Sequence, residues 1–203
     1  MRILPLSPVR RRGRIAAALL ALGLSLAACA VAPVEMMQGA SGALRDPAYV
    51  DSVELSLHGE ARAAVAESDR KLHGEGDVAL PFAALFDRAV KEAARARGFQ
   101  AGRPLRIAIE MDVLRIPDVA MAALGRSDRL SGQVRVEDAR TGDRFALFYV
   151  TVDKPHSGLI GLAIRGTGVR EKLIREFAAH IAGQLALSRG NPQSSAPAPA
   201  RRE

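Results

Sequence analysis

The side chains that could do chemistry are few and scattered. Four histidines occur, His58, His73, His156 and His180. His58-Gly59-Glu60 and His73-Gly74-Glu75 repeat one local pattern, yet a metal centre wants three or four ligands at coherent spacing. These positions match no zinc pattern, so neither a metal nor a cofactor is expected. His156-Ser157 sets a base beside a hydroxyl in sequence. A working nucleophile also needs a hydrogen bond in space and an acid that orients the base. Glu110 and Asp112 share one side of an alternating stretch, and Glu137 and Asp138 precede a turn. Both are ordinary places for solvated charge, with no reason for burial and none for a shifted pKa. The residues therefore read as those of a non-enzyme. The rival is a hydrolase built on His156 or on the His58 and His73 pair.

A denser segment runs from Lys154 to Gly168, with glycines at 158, 161, 166 and 168. It sits between a strand and a helix, where backbone N–H groups can bind anions. It lacks the Gly-Lys-Ser/Thr ending of a phosphate-binding loop. Leu159, Ile160, Leu162 and Ile164 crowd among the glycines, with Lys154, Arg165 and Arg170 on the flanks. An apolar tip with basic flanks suits a lipid surface or a protein groove, which makes Leu159, Ile160, Leu162, Ile164 and Arg165 the candidate contact residues. Folding back onto the core beneath the loop suits the same side chains.

The one cysteine carries the firmest chemistry. Arg2, Arg10, Arg11, Arg12 and Arg14 form a basic leader, followed by an uncharged apolar run from Ile15 to Ala28. A bilayer span needs about 20 apolar residues, so this run has the length of a secretory signal rather than of an anchor. It ends Leu26-Ala27-Ala28-Cys29, which resembles the lipobox of bacterial lipoproteins. The resemblance implies cleavage between Ala28 and Cys29 by signal peptidase II and a lipid on the Cys29 sulfur. Cys29 is the only cysteine, so no disulfide can form within the chain, and lipidation would remove a lone thiol from an oxidising compartment. Two or more acyl chains hold a protein stably on a membrane. Ala30, where an Asp would favour the inner membrane in the lipoprotein sorting pattern, resembles the outer-membrane class. The expected location is the periplasmic face of the outer membrane.

Processing changes the charge. The whole chain carries +7, and five arginines with no acid precede Cys29. The mature protein is left near +2 and short of aromatic residues for stacking on bases, so no nucleic-acid partner is expected.

These candidates are carried by a chain that divides into a signal peptide over 1–28, a lipidated flexible tether over 29–48, one domain over 49–188 and a disordered tail over 189–203. The tail is rich in proline and serine and cannot bury a core. Within the domain Val53, Leu55 and Leu57 alternate as a short strand, and the stretch from Gly59 to Lys71 fits either helix or loop. Pro81 opens a helix with Phe82, Leu85, Phe86, Ala89, Val90 and Ala93 on one face, and Gly98 stops it. Leu105, Ile107, Ile109, Met111 and Val113 alternate as a strand with one buried face. Leu130 to Glu137 and Phe145 to Asp153 form an antiparallel hairpin about Thr141-Gly142-Asp143. Thr167 caps a last helix that buries Val169, Leu173, Ile174, Phe177, Ile181 and Leu185, and Glu171 and Arg175 face solvent at i,i+4. The order β-α-β-β-β-α gives an α+β two-layer sandwich, a mostly antiparallel four-stranded sheet with two amphipathic helices on one face.

Together with the lipobox, the Gly98-Phe99 helix end, the turn Glu137-Asp138-Ala139-Arg140-Thr141-Gly142 and the closing helix, this pattern resembles small Gram-negative outer-membrane lipoproteins of unknown function, similar to auxiliary lipoproteins of envelope transport and assembly. The resemblance implies a non-catalytic, periplasm-facing protein with an envelope protein as partner and the membrane reached through lipid on Cys29. Two readings follow: an assembly-accessory or binding protein that uses a sheet edge or the loop 158–168, and a carrier of lipid or a small ligand in a cavity between helices and sheet. Oligomeric state stays open.

Overall fold

The computed structural model describes residues 33–38, 44, 46–70, 72, 79–155 and 168–190. They form an α+β domain with the order β1 (Val34–Gln38), β2 (Ala48–Leu57), α1 (Gly59–Arg70), α2 (Phe82–Ala96), β3 (Arg103–Arg115), α3 (Val119–Ala123), β4 (Asp128–Asp138), β5 (Arg144–Lys154) and α4 (Val169–Gly190). The five strands make one mixed sheet ordered β1-β5-β4-β3-β2. All neighbours are antiparallel except β2 and β3, which run parallel. A parallel pair needs a long crossover, and α1 and α2 supply it. The sheet thus has one strand more than its sequence pattern suggests, and α1 and α3 join the two amphipathic helices.

The extra strand is β1, which lies within the stretch that reads as a tether. Its ladder sets Val34 opposite Val150 and Glu35 opposite Tyr149, and Thr151 N donates to Pro33 O at 2.9 Å. Leu44, also in that stretch, is buried in the core. β2 begins at Ala48 rather than at Val53, because Ala48 and Val50 turn inward beside β3.

One layer of apolar side chains joins sheet and helices. Leu105, Ile107, Ile109 and Met111 of β3, Val134 and Val136 of β4, and Phe148, Val150 and Val152 of β5 share a single cluster with α1, α2 and α4. Phe86 stands at its centre, its ring centroid 5.4 Å from both Phe82 and Phe177. A fully buried Phe of this kind contributes about 1.5–3 kcal/mol relative to exposure. Every helix that contributes to this cluster covers the same side of the sheet, and the opposite side is left polar.

Local signals explain the helix ends. Pro81 has no N–H to lose at the start of α2, and the side chain of Asp69 in α1 accepts from Phe82 N at 2.9 Å. At the other end Gly98 takes φ 83°. Its N–H donates to Arg95 O, and Phe99 N donates to Ala94 O, the paired bonds of a Schellman stop. Phe99 then buries under the guanidinium of Arg189, whose Cζ is 4.1 Å from the ring centroid.

Bulges break the strand alternation. Met111 faces Gly132 and Val113 faces Ser131, so Asp112 is an extra residue in β3. Beyond it the parity switches: Leu114 is buried, and Val113, which alternation alone puts in the core, is only half-buried. Asp51 plays the same part in β2, between Val50 and Ser52.

Candidate functional site

Among the described residues, the sheet side that carries no helix is a continuous surface built from several strands. An alternating row of charges crosses it. Glu137 of β4 accepts from Arg106 Nε of β3 at 3.0 Å and lies 3.3 Å from Arg135 Nε. Arg106 reaches Glu54 of β2 at 3.8 Å, and Arg135 donates to Glu110 at 3.3 Å. The side chain of Glu137 is 10 % exposed and those of its arginines 38 %. The hydrogen bond to Glu137 holds the Arg106 guanidinium above its usual pKa. Solvent screens the outer ion pairs, which contribute little each; Glu137, set between two guanidiniums, is the member whose neutralisation would be felt.

Next to the row the bulge turns Asp112 toward β4 and β5. The Tyr149 hydroxyl donates to Asp112 Oδ2 at 2.6 Å and lies 3.1 Å from Ser131 Oγ, and Ser131 donates to Asp112 Oδ1 at 3.3 Å. A hydroxyl, a phenol and a carboxylate in contact invite a catalytic reading, but the chemistry is against it. Ser131 is fully buried, so no substrate reaches its oxygen. Burial first, and then the bond to Asp112, push the Tyr149 phenol above its ordinary pKa. The trio acts as a latch that ties the bulge to the two neighbouring strands.

The acids that read as solvated charge divide. Glu110 and Asp112 do face the open side. Glu137 and Asp138 are buried at 8 % and 6 % exposure, contrary to expectation. Glu137 is covered by its arginines. Asp138 folds into the turn, where it accepts from Arg140 N at 2.7 Å and Thr141 N at 3.2 Å with Arg103 3.5 Å away. The backbone bond from Arg140 is the main cause that holds this carboxyl below the usual range. Glu171 is also buried rather than solvent-facing, against Arg170 Nη2 at 2.8 Å, and Arg170 lies 3.6 Å from Asp69.

That ion pair bears on the candidate loop. Leu159, Ile160, Leu162, Ile164 and Arg165 lie outside the described residues, as do Cys29, Ala28, His73, His156 and Thr167. Of the loop's flanking cations, Arg170 is buried among acids and Lys154 pairs with Glu176. They do not form the free basic rim that the spacing suggests. His58 is exposed where β2 meets α1, and His180 sits half-buried in α4. Among the described residues no group of three or more His, Cys, Asp or Glu side chains could hold a metal, and no helix is long and apolar enough to cross a membrane.

A feature absent from the sequence reading lies between β3 and β4. The short α3 is capped by Asp118, whose side chain accepts from Met121 N at 2.8 Å. It holds Val119 and Leu124 out in solvent at 68 % and 79 % exposure, with Ile116 at 37 %. Pro117 and Gly125 mark this only as a connection; the sequence signal was Ile116, Val119, Met121 and Leu124 in a short segment with no strand or helix period to bury them.

No protein-family model matches the chain, and neither does any curated protein. Solved structures do. A PelC dodecamer from Paraburkholderia phytofirmans is 11 % identical, with 75 % of this chain and 96 % of that chain covered and a TM-score of 0.46. A Xanthomonas campestris protein of the DUF330 family is 14 % identical over 75 % of this chain and 92 % of its own, with a TM-score of 0.48. A minor lipoprotein from Acinetobacter baumannii is 11 % identical over 68 % and 94 %, with a TM-score of 0.35. No residue role is carried across from any of them.

Proposed function

We propose that this chain is a non-catalytic lipoprotein of the cell envelope, held by lipid on Cys29 at the periplasmic face of the outer membrane. Its domain engages another envelope protein through the uncovered side of its sheet and the adjoining edge of β2. The one-sided covering of the sheet carries this reading: among the described residues the helices pack on a single face, and the other presents ion-paired, half-exposed side chains. β2 is an edge strand of ten residues; its outer side meets Gln100 at Tyr49, and the stretch beyond, from Ser52 to Leu57, suits strand addition by a partner. The carrier reading calls for a cavity between helices and sheet. Phe82, Phe86 and Phe177 fill that layer, which favours surface binding over enclosure.

Photo-crosslinkers placed in cells at Glu54 and Ser56 on β2, and at Ala84 and Glu92 on the exposed side of α2, test the proposal. The expected result is one reproducible envelope protein captured from the β2 positions alone, and lost with Cys29→Ser, which should also abolish palmitate labelling. Equal capture from both elements, or capture that survives Cys29→Ser unchanged, would count against it.

A further inference from the structure

We infer that the tip formed by Ile116, Val119 and Leu124 rests on the phospholipid surface and sets the domain upright on its anchor. The inference rests on the lipoprotein reading above and adds to it which end of the sheet meets the membrane.

The sheet has two distinct ends. β3 ends at Arg115, β4 begins at Asp128 and β5 ends at Lys154, so α3 projects from the end those residues share. β1 runs antiparallel to β5 and enters the sheet from that same end, with Pro33 O bonded to Thr151 N. Thr151 lies three residues short of Lys154, a rise of about 10 Å along the strand. Cys29 precedes Pro33 by four residues, a covalent reach of up to about 14 Å. Across the sheet, α3 stands two to three strand spacings from β1, about 10–14 Å. A lipid on Cys29 and the α3 tip can therefore meet one plane. At the opposite end the β4–β5 turn carries Ala139, Arg140, Thr141, Gly142 and Asp143, all exposed and without a large apolar side chain.

The surface chemistry agrees. Val119 and Leu124 are the two most exposed large hydrophobic residues described, and both lie on this one short segment. Arg126 is exposed beside them, and Arg115 is half-exposed with its head on Glu60 at 3.1 Å. Apolar side chains next to arginines match acyl chains beneath a layer of phosphates. Since α3 is held by its own Asp118 cap, the apolar residues need no partner protein to keep their conformation.

The chain contains no Trp, so one introduced Trp reports its surroundings alone. Full-length chain, processed and lipidated in cells, is placed in vesicles of phosphatidylethanolamine and phosphatidylglycerol, with and without brominated acyl chains. Leu124→Trp and Val119→Trp should emit at shorter wavelength than in detergent-free water and lose most of their intensity in brominated vesicles, while Ala139→Trp at the far turn stays unquenched. If the chain stays on the vesicles but neither tip Trp is quenched, the tip faces something other than lipid, and this inference fails while the anchor stands. Quenching of Ala139→Trp to the same degree would also overturn it, since the domain would then lie flat. A chain that does not associate with vesicles and carries no acyl group defeats the anchor reading, and this inference with it.

Discussion

Gly132 gives the sharpest test of how the sheet is built. A Cβ added there would sit 2.7 Å from Glu110 O, 3.0 Å from Met111 Cα and 3.3 Å from Glu110 C. All three atoms are backbone, and they belong to the stretch of β3 that bends around the Asp112 bulge, so none can move aside cheaply. Gly132 has no positive φ; alanine can adopt its conformation, and the contact alone decides the outcome. Overpacking of this kind costs about 1–3 kcal/mol, against about 0.4–1 kcal/mol that alanine returns by restricting the unfolded chain. The balance is a loss of about 1–2 kcal/mol for Gly132→Ala, a fall in midpoint of about 2–8 °C for a domain of this size. Gly183 in α4 is the matched comparison, since a Cβ there meets nothing within 4 Å. In a helix interior alanine is favoured by about 0.8–1 kcal/mol, so Gly183→Ala should raise the midpoint. Thermal and urea unfolding followed by circular dichroism on the purified mature chain, with unchanged m-values, measures both. If Gly132→Ala melts at or above wild type, the close approach of β3 to β4 at the bulge is wrong.

Two further outcomes follow from charges. Asp69→Ala removes the cap on Phe82 N and one neighbour of the buried Arg170, and should cost about 2 kcal/mol; Asp69→Asn, which keeps an acceptor, should cost less in the same unfolding experiment, and equal losses would remove the cap from the explanation. Asp138 has its pKa lowered in the fold, so its contribution is present above the unfolded value near ~3.9 and fades as pH falls through the folded one. Stability against pH should therefore drop less steeply below about pH 4 in Asp138→Asn than in wild type, whereas parallel curves would contradict this.

The parts of this fold legible in the sequence are those that local chemistry decides. The hairpin of β4 and β5 follows from two alternating runs around Thr141-Gly142-Asp143, and α2 from Pro81, its apolar stripe and Gly98. What escaped depends on partners far along the chain. The parallel pairing of β2 with β3 has no local signature, and the five residues of β1 are too few to stand out until β5 offers them a ladder. Asp112 reads as one more outward-facing residue in an alternating strand; only Gly132 on the neighbouring strand hints that the alternation breaks. The burial of Glu137, Asp138 and Glu171 is likewise set by arginines and backbone donors brought together by folding. The exposed apolar tip at α3 was hidden because a short segment without period reads as a loop, whichever way its side chains point.

The position of β1 governs how the domain carries mechanical load. It is the first described strand after Cys29 and forms one edge of the sheet, bonded only to β5 among the described strands. Ladder bonds in an antiparallel pair lie across the strand axis. With the proposed lipid on Cys29, a pull from the membrane directed along β1 away from the sheet would strain the bonds of Val34 to Gln38 together in shear instead of opening them one by one. On that proposal, the strand that looks like slack tether is the joint at which drag on the anchor is first resisted.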